Sequence, residues 1–599
     1  MVEIANEDVR TLVEMARQKG LETAHTRYNP KTKCSYGRDG ICCNLCTNGP
    51  CRITEKTPYG VCGMNAHQMV AKNLLRRIAA GTACYIHVCE NTAFILKRSE
   101  VRDRKRLEEI AEKLGVEADA EAIANFVIKD IYAPGWLMSG VVMSLAPKKR
   151  LEVYEKLDLI PRGAKSEVFD ALVKTSTNLN ANVVDMLMHS LRLGLITGYI
   201  ALKMHTYMTD IMLGSPKITE VETGVGAIDP EYVNIMVTGH QSPLQAKIIE
   251  AASDESLIKK AVDAGAKGIR IIGSTCVGQD LQGRIPGFLQ CANNFGTEPL
   301  AASGLIDAIV SEFNCTFPGL TSIAQSLGIK LMAIDDAALV DEAELLKMSP
   351  ENAGDVAKEI VERAIEAFKA RERGEQVGST KKAIVGFTED FVAENMDKIL
   401  EILAEGKVKG VVAVVGCSNL VSGHDVLIKR LTEELLKRDI LVWTAGCTSY
   451  ALQGLGYMSE EALDIAGEGL KDVCGELALP PAWDFGMCMG IARISNTAEM
   501  LAEKLGVDIP DLPVAVSAPQ WLEEQALGDA AFALASGYLL HAYPSPYIDG
   551  SDVVTEILTK GLADMTGGKL LIEGDAEKAA EAMERHIIER RKELGLKSS

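Results

Sequence analysis

The chain has 599 residues, 47% of them hydrophobic and only 5% aromatic, with 63 Lys+Arg against 83 Asp+Glu for a net charge of −20. That length allows three or four domains of roughly 100–200 residues each, and the acidic balance argues against nucleic acid or an anionic membrane surface as partner. No stretch of about 18 uninterrupted apolar residues suggests a membrane span, no leader pattern opens the chain, and fifteen cysteines are a liability in air. The expectation is a cytoplasmic protein of an anaerobic host that acts on a small molecule and docks a small ferredoxin-like electron carrier.

From Met1 to about Gly226 the pattern is helical. Met1–Gly20 is polar and amphipathic, and Met64–Gly81, Val101–Leu114, Glu167–Leu193 and Leu195–Leu213 repeat apolar residues at three- and four-residue steps. After Pro230 short β-branched runs alternate with helical segments: Tyr232–Val237, Gly268–Ile272, Asp307–Val310 and Lys330–Ile334. A charged helix over Pro350–Glu375 leads into a second series, with strands at Ala383–Phe387, Gly410–Val415, Ile440–Thr444, Trp483–Met487, Pro513–Ser517 and Gly537–Ala542. This is an α/β fold: a helical domain (1–228) followed by two doubly wound, Rossmann-like α/β domains (229–375 and 376–599). No G-x-G-x-x-G follows a strand and there is no Walker loop, which argues against a nucleotide cofactor.

The helical region carries Cys34, Cys42, Cys43, Cys46, Cys51 and Cys62 within 29 residues. Six thiols at that density point to metal or iron–sulfur chemistry and not to disulfides. A zinc site would favour two C-x2-C knuckles, and only Cys43-x2-Cys46 has that spacing. Cys43, Cys46, Cys51 and Cys62 supply four thiolates, enough for one cubane. Cys34 and Cys42 remain as a pair that cannot complete a four-iron cluster alone. A symmetry mate would supply the other two thiolates, so a homodimer is expected.

The remaining cysteines mostly end strands: Cys276 in GSTCVG, Cys315 in SEFNCTFPG, Cys417 in VVGCSN, Cys447 in TAGCTS and Cys488 in GMCMG, with His240 ending NIMVTGH. Ligands of open parallel sheets sit outside the carboxyl ends of the strands, so these six donors are expected to converge on one metal cluster. Cys89, Cys291 and Cys474 lie in helical segments and are expected to pack. So are His25, His67, His189, His205, His541 and His586, while His424 and the pair Cys84/His87 stay open.

On the run CSYGRDGICCNLCTNGPCRI…GVCG, the segment Ile211–Pro216, the Gly239-His240 pair and VVGCSN, the chain resembles the anaerobic nickel–iron carbon monoxide dehydrogenases over nearly its full length. That resemblance implies a [4Fe-4S] cluster on the dimer axis held by Cys34, Cys42 and their mates. It implies a second [4Fe-4S] cubane on Cys43, Cys46, Cys51 and Cys62. It also implies an active cluster on His240, Cys276, Cys315, Cys417, Cys447 and Cys488, the last as nickel ligand. The surroundings depart from the family. A Cys-Cys pair becomes Thr275-Cys276, and the catalytic Lys of a Trp-x-Ser-Glu-Lys-Ala run becomes Gln525 in Trp521-Leu522-Glu523-Glu524-Gln525-Ala526. The first proton-handling histidine falls near Tyr85, with only His87 close by.

Lysine can supply charge and a proton near bound substrate; glutamine cannot. The sister family of hybrid-cluster proteins, which resemble hydroxylamine reductases, carries Trp-x-Glu-Gln-Lys-Ala at this place, with the Glu as ligand of an iron–sulfur–oxo cluster. Glu523 stands there, and a carboxylate is a hard donor that suits oxidised iron. The sister family's second carboxylate aligns with Cys276, so the chain is intermediate. The expectation is a dehydrogenase scaffold whose active cluster is of the iron–sulfur–oxo hybrid type and reduces hydroxylamine-like substrates, with Glu523, Gln525 and His87 as catalytic candidates. The alternatives are a nickel–iron dehydrogenase that oxidises CO, and an electron-storage or redox-sensing protein.

Overall fold

The structure is a computed structural model that describes residues 2–597, so Met1 of the expected first helix lies outside the described residues. Its helical part is organised around one 31-residue helix, Ala66–Leu96, started by an Asn65 capping box in which the Asn65 side chain accepts from the Gln68 N–H. This central helix runs fifteen residues beyond the expected end at Gly81, since no breaker follows. The expected helix Glu167–Leu193 is two helices, Ala164–Thr175 and Val183–Leu195. The intervening Ser176–Asn182 holds Thr177 and Asn178 at positive φ, and Asn182 caps the second helix. Asn and Thr bonding their own backbone outcompete the helix there. Val183–Leu213 is long and apolar enough to cross a bilayer, but its most apolar 18-residue stretch is 72% buried inside the molecule and it reads as a core helix.

The strands are β1 (Cys42–Cys43), β2 (Cys51–Arg52), β3 (Thr219–Thr223), β4 (Val233–Val237), β5 (Ile269–Ser274), β6 (Leu289–Ala292), β7 (Ala308–Ser311), β8 (Lys330–Ala333), β9 (Glu344–Leu345), β10 (Lys381–Val385), β11 (Gly410–Val415), β12 (Ile440–Ala445), β13 (Ala482–Asp484), β14 (Val514–Ala518), β15 (Leu539–Ala542) and β16 (Lys569–Leu571). One sheet has the order β10-β3-β6-β5-β4-β7-β8-β9, the other β13-β12-β11-β14-β15-β16. All pairs are parallel except β10 on β3 and the small β1–β2 ladder. β3 and β10 therefore extend the first sheet on both sides of 229–375. β3 reads Thr-Glu-Val-Glu-Thr, half-exposed and charged, and carries no apolar run to reveal it.

In the first sheet the chain winds outward from β4 one way and from β7 the other; in the second it does so from β11 and β14. Two topological switch points result, and crevices of doubly wound sheets open there. A buried ionic network ties all three parts together. Arg493 pairs with Asp210 at 2.6 Å and with Glu389 at 3.1 Å, and Arg284 pairs with Asp210 and Asp280, both at 2.9 Å. Asp210 comes from the helical part, Arg284 from the first α/β layer and Arg493 from the second, so the three layers are fixed around the space between them.

Candidate metal centre

Both switch points deliver ligand candidates. His240 follows β4 and Cys315 follows β7; Cys417 follows β11 and Glu523 follows β14. Cys276 begins a helix directly after β5, Cys447 begins one after β12, and Cys488 opens the turn beyond β13. The loop conformations are costly: Thr275, Asn314 and Cys315 all sit at positive φ, near 60–72°, a region non-glycine residues rarely occupy. Gly416 and Gly446 take φ of +102° and +82° just before Cys417 and Cys447, which only glycine adopts freely.

The side chains converge. His240 Nε2 lies 3.2 Å from Cys488 Sγ, and the Cys488 N–H donates to Cys276 Sγ at 3.4 Å. The ligand atoms of His240, Cys276 and Cys488 all lie within 4.8 Å of one another. Contacts with the Cys447 and Cys488 sulfurs, together with burial, hold the Cys276 thiol well above its usual range. Burial and the carboxylate of Glu523 push Cys315 and Cys417 up, with Cys447 and Cys488 adding to both. Cys488 is pulled down, first by Cys276 and against its own burial, then by His240 and Tyr85. Burial alone would lower His240, but the Cys488 thiolate and Glu312 outweigh it and carry the imidazole to about 9. Thiols crowded this closely, unpaired as disulfides, with an imidazole among them, form a donor set suited to a soft-metal cluster. They fit the group that the sequence implies.

His240 is oriented from behind, as metal-binding imidazoles usually are. Its Nδ1 donates to the Phe313 carbonyl at 3.0 Å. The backbone N–H groups of His240 and Gln241 both donate to Glu312 Oε2, the latter at 2.8 Å. Burial raises Glu312 to about 7 even so.

Glu523 is at the centre. Its Oε1 lies 3.8 Å from Cys315 Sγ, its Oε2 accepts from Asn314 Nδ2 at 2.6 Å, and burial raises its pKa. Gln525 is buried in the first turn of the helix Glu524–Ser536. His87 stands further out: its Nε2 is 3.4 Å from Asp335 Oδ2, and its ring packs on Phe313 at 5.3 Å, with His240 on the same ring at 5.9 Å. His87 and His240 thus share contacts with the Phe313 ring. Cys84 is pushed to about 11 by burial and by Glu524 and Glu523. Cys89, Cys291 and Cys474 are buried packing residues, and both ring nitrogens of His424 are taken up, by His25 and by Asn293 Oδ1, each at 3.0 Å.

Two residues at the site escaped the sequence reading as site residues. Tyr85 Oη lies 3.3 Å from Cys488 Sγ and 3.3 Å from Asp529 Oδ2, and burial drives the Asp529 carboxyl well above its ordinary value. Tyr85 occupies the place where a proton-handling histidine was sought. Asp529 lies one helical turn after Gln525, alone in the apolar run ALGDAAFALA; that isolation was the available signal.

In the N-terminal loop the β1–β2 ladder sets Cys43 opposite Cys51 and Cys42 opposite Arg52. Successive strand residues point to opposite faces, so Cys42 and Cys43 point to opposite sides of the ladder. The central helix fastens this ladder through Asn73 Nδ2, which donates to the Gly40 and Cys42 carbonyls at 2.8 and 2.9 Å. Cys34, Cys46 and Cys62 are exposed.

The fold and this donor set define an iron–sulfur oxidoreductase. The chain belongs to the Prismane/CO dehydrogenase family, whose profile matches residues 41–577. It is 50% identical over 617 residues to a carbon monoxide dehydrogenase of Methanocaldococcus jannaschii, covering 98% of this chain and 99% of that protein. It superposes with a TM-score of 0.96 on a nickel-free carbon monoxide dehydrogenase from Thermococcus sp. AM4, at 34% identity and covering 99% and 98% of the two chains. Carbon monoxide dehydrogenase IV from Carboxydothermus hydrogenoformans matches equally well in shape, with TM-score 0.96, 31% identity and full coverage of both chains. These relatives favour the CO dehydrogenase alternative over hydroxylamine reduction.

Proposed function

We propose that the chain oxidises carbon monoxide with water to carbon dioxide, two protons and two electrons. The observation that carries this reading is a pair of adjoining apolar cavities of about 50 Å³ each, neither lined by a cysteine, the second of which reaches the residue before Cys417. Both are walled by Ala518, Ala526, Ala530 and Leu540; the first reaches Leu74 and Leu191, and the second reaches Gly416 and Asp529. Such walls offer almost nothing to hydroxylamine, a strong hydrogen-bonding solute, and suit a small apolar gas.

A nickel–iron–sulfur cluster held by His240, Cys276, Cys315, Cys417, Cys447 and Cys488 would supply the Lewis acidity and take up the electron pair. The protein's share is binding, water exclusion and proton handling. Tyr85 hydrogen-bonds the Cys488 thiolate and hands on to Asp529, whose raised affinity for protons fits a buried acceptor. Gln525 brings neither cation nor titratable proton, and the Tyr85–Asp529 pair takes over the proton-handling part a lysine would play, without its charge. Cys43, Cys46, Cys51 and Cys62 would hold a cubane, and Cys34 and Cys42 would share an axis cluster with a second copy; these groups would supply the electron-transfer chemistry towards a ferredoxin-like carrier. Fifteen unpaired cysteines fit the reducing cytoplasm.

The buried Glu523 carboxylate beside Cys315 favours one other reading, an iron–sulfur–oxo cluster that reduces hydroxylamine. Metal analysis of anaerobically purified protein separates the two. About one nickel per chain with viologen reduction by CO is expected. Iron without nickel, with no CO-dependent reduction, refutes the CO reading.

A further inference from the structure

Lys72, on the second turn of the central helix, is 0% exposed. Its Nζ donates to Cys43 Sγ at 2.9 Å and to Met69 Sδ at 3.3 Å. Two other buried cations have carboxylate partners, Lys203 with Glu499 at 2.6 Å and Arg493 with Asp210 and Glu389, while the buried Arg591 is surrounded by backbone carbonyls. Among the described residues no Asp or Glu pairs with Lys72. An ammonium removed from water without a counter-ion costs several kcal/mol, and a thioether is only a weak acceptor. The position therefore calls for an anion, and the anion in reach is the Cys43 thiolate.

We propose that Lys72 is the built-in counter-cation of the cluster on Cys43, Cys46, Cys51 and Cys62 and raises its reduction potential. The inference rests on the cubane reading of those four cysteines. A cluster that gains an electron gains negative charge, and a fixed cation at one of its sulfurs stabilises that reduced form more than the oxidised one. Burial keeps water from screening the interaction. Asn178 Nδ2, 3.1 Å from Cys62 Sγ, does the same more weakly as a neutral donor at the exposed edge. The cubane is thereby poised to accept electrons.

The test is a redox titration of the anaerobic holoprotein followed by electron paramagnetic resonance, the cubane signal being the one that Cys51→Ala removes. Lys72→Met is expected to keep its iron and shift the midpoint to more negative potential. Lys72→Arg should return it towards wild type, and Asn178→Ala should shift it the same way by less. If Lys72→Met loses the cluster, Lys72→Gln, which keeps an N–H donor, should show a smaller negative shift. A filled cluster whose midpoint stays put or moves positive overturns the assignment. A Cys51→Ala variant that keeps every signal of the wild type overturns the cubane reading itself.

Discussion

Replacing Gly81 by alanine would place a methyl carbon 2.0 Å from the Glu524 carbonyl oxygen and 2.7 Å from the Gln525 nitrogen. Both are backbone atoms, so no side chain can swing aside. Since real contacts at such carbons are not closer than 3.0 Å, the helix Glu524–Ser536 must withdraw by about 1 Å at its first turn. It is gripped from another side as well, because a methyl at Gly194 would lie 2.4 Å from the Ala531 carbonyl carbon. Overpacking of this kind costs about 1–3 kcal/mol. The displaced turn carries Glu523 and Gln525, and a misplacement of about 1 Å near reacting groups can cost about 10²-fold in rate. Thermal scans at one scan rate, metal content and CO-dependent viologen reduction should all be measured on Gly81→Ala and wild type. The expected result is a lower melting temperature with a large loss of turnover. Wild-type melting with wild-type turnover would refute the claim that this crossing positions the site.

Three further outcomes follow from other contacts. Tyr85→Phe removes the hydroxyl between Cys488 and Asp529, and should lower turnover about 10²-fold at unchanged metal content; undiminished turnover removes Tyr85 from the proton path. Burial would raise Glu167, but His189 at 2.9 Å, Arg192 and the Arg162 N–H outweigh it and hold the carboxyl at about 2, below its ordinary 4.5. A lowered folded-state value stabilises above pH 4.5 and fades as pH falls towards 2, so Glu167 contributes about 3 kcal/mol at neutral pH. Denaturant midpoints of wild type and Glu167→Gln should therefore converge between pH 6 and pH 3, and a constant gap would contradict the linkage. If Glu523 biases the cluster towards iron, the double change Glu523→Ser, Gln525→Lys should raise nickel content relative to wild type; equal nickel excludes the carboxylate as determinant.

The strand-end placement of most of these cysteines was legible because they follow apolar β-branched runs, Cys488 after Trp483–Met487 being the exception, and a parallel sheet sends such ends to one edge. β3, β6, β9 and β16 were not. Thr219–Thr223 alternates charges and buries only Val221 and Thr223, and Glu344–Leu345 is two exposed residues, so neither carries an apolar run to pattern the sequence. β10 was seen, but its place was not. Lys381–Val385 follows the linker helix and looks like the first strand of the second layer, yet it pairs backwards onto β3. Such pairing depends on tertiary contact that no local pattern records. The same limit hid Tyr85, whose hydroxyl meets Cys488 across 403 residues of chain.

The two-residue strand Cys42–Cys43 also acts as a covalent ruler. Neighbouring residues are about 3.8 Å apart along the backbone, and the pleat turns one thiol to each side, so on the proposed assignment the two clusters would be held at a separation that no breathing of the layers can stretch. Electron tunnelling between them would then depend on a bonded distance and not on docking. A single residue inserted between Cys42 and Cys43 would turn both thiols to the same face and break the circuit while leaving every other ligand in place.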